Sequence, residues 1–287
     1  MFIEEEELFR MNRLIVAICI LGFALDSDFT ASAQTNTPGA AASLTNSTST
    51  NSPSTTPTET APASLPEPLS TTTPDNTRYL NAPTLLTACA DRVAAFNNKP
   101  CDIIFIGDSI TAGWLGAGKA IWDKKYAPRH ALDFGINGDK TQNVLWRLAN
   151  MGVQGMQPKV AVIMIGTNNT LNSPHEIADG VKSVLANTQE NFPGIKIILV
   201  SILPNARAND KMMEANSLIR SYADDSAVYY LDLVSLMPEV TTNAPDGTLD
   251  TNWKGLGPDH LHPDASGYQI WADAMEPLLA NMLKSGP

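Results

Sequence analysis

Ile103-Ile104-Phe105-Ile106-Gly107-Asp108-Ser109-Ile110-Thr111 decides the fold. Four apolar residues run without a break into Gly-Asp-Ser, after which the chain turns small and polar. A short unbroken apolar run ending on glycine reads as a strand buried on both faces. Such strands belong to parallel sheets, and open α/β sheets carry their chemistry just past the strand's carboxyl end. Ser109 stands at that point and is a candidate nucleophile. The plainer alternative is a strand-to-helix turn in which Asp108 or Ser109 caps the following helix.

The same pattern recurs outward from this stretch. Apolar runs predict further strands over 160–165, 195–202 and 228–233, and a shorter second strand is expected over 130–134. Between them, helical spacing of apolar residues predicts helices over 83–96, 141–150, 174–191 and 211–224. A closing helix spans 265–283, broken or kinked at Pro277. The segment 237–258 is rich in Pro, Gly, Asn and Asp and reads as a long loop. Alternating strands and helices imply a three-layer α/β/α sandwich around a central, mostly parallel five-stranded sheet.

The N-terminal part has a different composition. Met11-Asn12-Arg13, the apolar run 14–25 and Ala31-Ser32-Ala33 form the basic start, apolar centre and cleavage site of a signal peptide. Glu4 to Glu7 do not suit such a leader, which points to Met11 as the true start. Residues 34–77 are almost entirely Ser, Thr, Pro, Ala and Asn and read as a disordered linker. The catalytic domain is then 78–287, in a secreted or periplasmic protein with no stable membrane insertion once the signal is cleaved.

The chain of 287 residues is 43% apolar and carries a net charge of −11. The remainder after residues 1–33 is still acidic. That balance argues against binding nucleic acid or an anionic membrane surface through a basic patch. After export, Cys89 and Cys101 would meet an oxidising compartment, as a short-loop disulfide or as two buried free thiols.

Three later segments leave predicted strands or loops at the edge where Ser109 stands. They are Gly135-Ile136-Asn137-Gly138-Asp139, Gly166-Thr167-Asn168-Asn169 and Asp259-His260-Leu261-His262-Pro263. His262 has the residue type of a general base near neutral pH. Asp259, three residues earlier, can accept its other ring N–H. An alternative is a metal site built on His260, His262, Asp259 and Asp264. Asp264 also competes with Asp259 as the acid. Trp114 and Trp122 suit either a cleft wall or the core.

In this order the segments resemble the blocks of the SGNH hydrolases, the GDSL esterase/lipase family, whose fold is flavodoxin-like. Gly107-Asp108-Ser109 resembles the first block, Gly138 the second, Gly166-Thr167-Asn168 the third and Asp259-x-x-His262 the last. The stretch 134–148 is similar to the platelet-activating-factor acetylhydrolase branch. The third block ends Asn168-Asn169 where the family often has Asn-Asp. The resemblance implies a Ser109–His262–Asp259 triad, without cofactor or metal. It assigns the oxyanion hole to the backbone N–H groups of Ser109 and Gly138 and the side-chain amide of Asn168. The neighbours Ile110, Thr167 and Leu261 would close the acyl pocket after a methyl group. The expected function is hydrolysis of short acyl esters, acetyl above all, on an O-acetylated carbohydrate or a small molecule. Other expectations are a lysophospholipase or thioesterase, an O-acetyltransferase, or a non-catalytic carbohydrate-binding module.

Overall fold

Alternation of side chains along each strand decides the layers. The computed structural model describes residues 69–243 and 248–284. Its central strands are β1 (Ile103–Gly107), β2 (Ala131–Gly135), β3 (Val160–Met164), β4 (Lys196–Val200) and β5 (Val228–Leu231). The order is β2-β1-β3-β4-β5, with every neighbouring pair parallel. The helices are α1 (Thr77–Asn81), α2 (Thr84–Ala94), α3 (Ser109–Ala112), α4 (Thr141–Asn150), α5 (Pro174–Asn191), α6 (Asn209–Ile219) and α7 (Ala265–Lys284). Short helical turns cover much of 113–129.

Successive strand residues point to opposite faces, so the sheet feeds two cores. Ile104, Ile106, Phe134, Ile163 and Leu199 pack with α2, α4, α5 and α6 on one side. Ile103, Phe105, Val162, Ile198 and Val200 pack with Trp271, Met275 and Leu279 of α7 on the other. This is the three-layer sandwich expected from the sequence. The strand order reverses direction between β1 and β3, and in a doubly wound sheet that point opens the crevice where ligands bind. Ser109 begins α3 immediately beyond β1.

Several expectations change. The segment 237–258 contains an antiparallel hairpin, β6 (Glu239–Asn243) with β7 (Leu249–Trp253). All five residues of β6 are exposed, so no alternation of apolar and polar residues marked it as strand. Helix α7 runs unbroken through Pro277. Its buried face, Tyr268, Trp271, Met275 and Leu279, anchors it to the core, while Pro277 sits on the exposed side.

The domain also begins before residue 78. Thr71 is buried; its hydroxyl donates to Glu176 O at 2.7 Å and its carbonyl accepts from Thr141 Oγ1 at 2.8 Å. Asp75 N–H donates to Gln142 O. The proposed linker therefore gives way to a strap along α4 and α5, because its small polar residues find partners there. The proposed signal peptide and the linker up to residue 68 lie outside the described residues. Cys89 and Cys101 are both buried free thiols. Trp114 and Trp122 pack with Phe105 and Tyr126 in the core.

Candidate active site

The strand-to-helix turn after β1 is built for close approach. A Cβ at Gly107 would lie 2.1 Å from Thr111 Oγ1 and 2.3 Å from Met164 O, so only glycine lets α3 fold back this tightly. Asp108 caps α3, its Oδ1 accepting from Ile110 N–H at 2.9 Å. Asp108 is wholly enclosed, and burial pushes its carboxyl up to about 7. The Ser109 N–H, at the first position of α3, has no intrahelical acceptor.

His262 reaches Ser109 from the far end of the chain. Its Nε2 lies 2.8 Å from Ser109 Oγ, across 153 residues of sequence. Its Nδ1 lies 2.6 Å from Asp259 Oδ2. Asp259 Oδ1 accepts from the backbone N–H of Leu261 and of His262, so one carboxylate fixes both ring and loop. Burial works to raise the Asp259 carboxyl, but the His262 bonds outweigh it and hold it below the usual range. The loop is closed by Gly257 N–H donating to His262 O. Such a series leaves Nε2 as the acceptor for the serine proton, with the carboxylate on the opposite ring nitrogen.

The other site residues follow from the same edge. His260 turns to Asp250 of β7, with Nε2 3.2 Å from Oδ1; it and His262 thus face different partners. Asp264 Oδ1 accepts from the N–H groups of Ser266 and Gly267 and caps α7. Asn168 Nδ2 donates to Asp139 O at 3.0 Å and Asp108 Oδ2 at 3.2 Å. That one amide ties together the loops after β1, β2 and β3. Gly138 has φ +75, the left-handed conformation that glycine tolerates. Ile110, Thr167 and Leu261 are all buried; their place in the site rests on adjacency to Ser109, Asn168 and His262.

A buried network under the Gly138 loop was not foreseen. Arg147 of α4 donates from Nε to Asp139 Oδ2 at 2.7 Å, from Nη1 to Phe134 O and from Nη2 to Gly107 O. It also stacks 4.4 Å from the Phe134 ring centroid. Burial opposes its charge, but Asp139 more than offsets this and raises the guanidinium pKa. Tyr79 OH of α1 donates to the same Asp139 oxygen. The available signal was an arginine on the apolar face of α4, between Val144 and Leu148. Arg78 and Arg207, near Gly138 and Asn168, carried no sequence signal.

Fold and site together define a class, the SGNH hydrolases: a doubly wound sheet with serine, histidine and aspartate in series at its carboxyl edge. The family model for GDSL-like lipases and acylhydrolases matches residues 105–270. The chain belongs to this family and is a carboxylic ester hydrolase. Human platelet-activating factor acetylhydrolase IB subunit alpha1 is 31% identical over 196 residues, covering 67% of this chain and 80% of that one. The human alpha2 subunit is 30% identical over 190 residues, 66% of this chain and 81% of that one. A GDSL-like lipase structure from Bacteroides thetaiotaomicron superposes with a TM-score of 0.52 at 23% identity, over 70% of this chain and 97% of that one.

Proposed function

We propose that this enzyme hydrolyses short-chain acyl esters with Ser109 as nucleophile. The observation that carries the reading is the series of bonds from Ser109 Oγ through the His262 ring to Asp259. His262 takes the serine proton as Oγ attacks the acyl carbon, and Asp259 stabilises the imidazolium that forms. The tetrahedral oxyanion is met by the N–H groups of Ser109 and Gly138 and by the Asn168 amide. Asn168 already uses Nδ2 on Asp139 O and Asp108 Oδ2, so the oxyanion would draw on the longer bond, to Asp108. Collapse expels the alcohol, which takes the proton from His262. Water then repeats the sequence on the acyl-enzyme and releases the acid.

The acyl group is acetyl or of similar length. Ile110, Thr167 and Leu261, each beside a residue of the reaction, supply two branched aliphatic side chains and a threonine to close the pocket. The protein is exported, and the alcohol is a carbohydrate. Support comes from the signal-like residues 11–33, the Ser/Thr/Pro-rich stretch after them and the acidic balance of the chain.

A chain-length series of p-nitrophenyl esters tests the acyl preference. Turnover should peak at two to four carbons, and a maximum at eight or more would contradict it. Acetate release from acetylated xylan, acetylated chitin-type sugars and lysolipid controls then tests the alcohol. The N-terminal sequence of the mature protein, expected to begin at Gln34, tests export.

A further inference from the structure

The chain as a whole is acidic, yet two guanidinium groups flank the pole where the oxyanion would form. Arg207 Nη1 donates to Asn168 Oδ1 at 3.3 Å. Arg78 Nη2 donates to Asn137 O, its Nε lies 3.8 Å from Asp139 Oδ1, and the free edge of its guanidinium covers Gly138. A Cβ at Gly138 would lie 2.9 Å from both Nη1 and Cζ of Arg78. The reaction described above uses neither arginine.

Arg207 is held in place rather than trailing into solvent. Asn205, wholly buried, accepts from the N–H groups of Arg207 and Ala208 at 3.1 Å and donates to Leu203 O. Ala206 N–H donates to His260 O at 3.1 Å. The Arg207 loop is therefore bonded to the loop that carries His262. Bonded to Asn168 through its side chain and to the loop of His262 through its backbone neighbour, Arg207 stands at the rim of the site between the two. Its side chain is exposed, and among the described residues it joins no ion pair. A guanidinium whose bond is to a neutral amide keeps its charge and further donors, and its fork matches a carboxylate or a phosphate.

We propose that Arg207, assisted by Arg78, binds an anionic group, carboxylate or phosphate, on the alcohol part of the ester. This rests on the short-chain esterase reading and adds the charge of the alcohol to it. A purely structural role, in which Arg207 only holds the Asn168 amide, would touch neutral and acidic esters alike.

The test uses the full chain and three acetyl esters matched except for charge: acetylated methyl glucoside, methyl glucuronide and methyl glucoside 6-phosphate. An acidic ester should lead the neutral one in kcat/KM by about tenfold or more, and the arm that leads distinguishes carboxylate from phosphate. The ratio should fall to about twofold or less in Arg207→Gln and recover in part in Arg207→Lys. In the wild type, added NaCl should raise KM for the acidic ester alone. A wild-type ratio near one, a ratio unchanged in Arg207→Gln, or equal salt dependence for both esters would overturn the inference. Turnover of neutral esters with a ratio near one sinks this inference and leaves the esterase reading standing. No turnover of any acetyl ester sinks both.

Discussion

Arg147 Nε meets Asp139 Oδ2 at 2.7 Å with both side chains fully enclosed. The pair links the ends of β1 and β2, which carry Ser109 and Gly138, because Arg147 also donates to Gly107 O and Phe134 O. Removing one partner of a buried pair leaves an uncompensated charge and costs about 3–5 kcal/mol. Arg147→Met should lose stability on that scale in urea unfolding. Adding Asp139→Asn should restore part of it, because the stranded carboxylate is then gone.

Gly138 and Gly152 give a matched comparison. Both have positive φ, +75 and +71, and alanine in that conformation costs about 1–2 kcal/mol. A Cβ at Gly152 meets nothing within 4 Å, whereas one at Gly138 runs into the Arg78 guanidinium. Both alanine variants should lose stability. Only Gly138→Ala should also lose turnover, by about tenfold or more, since its loop supplies a proposed oxyanion donor.

Asp133 links stability to pH. It is almost wholly buried, and burial raises its carboxyl to about 7, with the Gly135 N–H bond and Arg92 only partly opposing. The unfolded chain releases this proton near its ordinary pKa of about 4. Between about pH 4 and pH 7 the native state therefore binds more protons than the unfolded one, and rising pH erodes stability. Asp133→Asn removes that contribution. Its stability, followed by thermal unfolding, should decline less than wild type across this window.

The proposed acyl pocket includes Leu261. It is buried beside His262, and truncation opens space that the short acyl group does not fill. Leu261→Ala should shift the p-nitrophenyl ester optimum toward longer chains, with a lower maximum for acetate. An unchanged optimum would remove Leu261 from the acyl pocket.

The sheet was legible because β1, β3 and β4 are nearly continuous apolar runs bounded by turn residues; β2, interrupted by Asp133, and β5, half-buried at Tyr229 and Tyr230, carry a weaker signal. Ser109, Asn168, Asp259 and His262 stood out because residue types with chemistry to perform occupy strand ends and one loop. The β6–β7 hairpin was not legible: its first strand is exposed throughout, so burial imposed no period on it. The strap over 69–76 was missed for a related reason. Ser, Thr and Pro resemble linker whether or not their hydroxyls find partners on a neighbouring helix. The Arg147–Asp139–Tyr79 network depends on tertiary proximity that no local spacing reveals, although an arginine on the apolar face of α4 was a usable clue.

Covalent labelling by an organophosphate, located by peptide mapping, tests the role of Ser109 most directly. A single adduct on Ser109, formed in step with loss of esterase activity and greatly slowed in His262→Ala, is the expected result. Esterase activity lost through an adduct on another residue, with Ser109 unmodified, would contradict it.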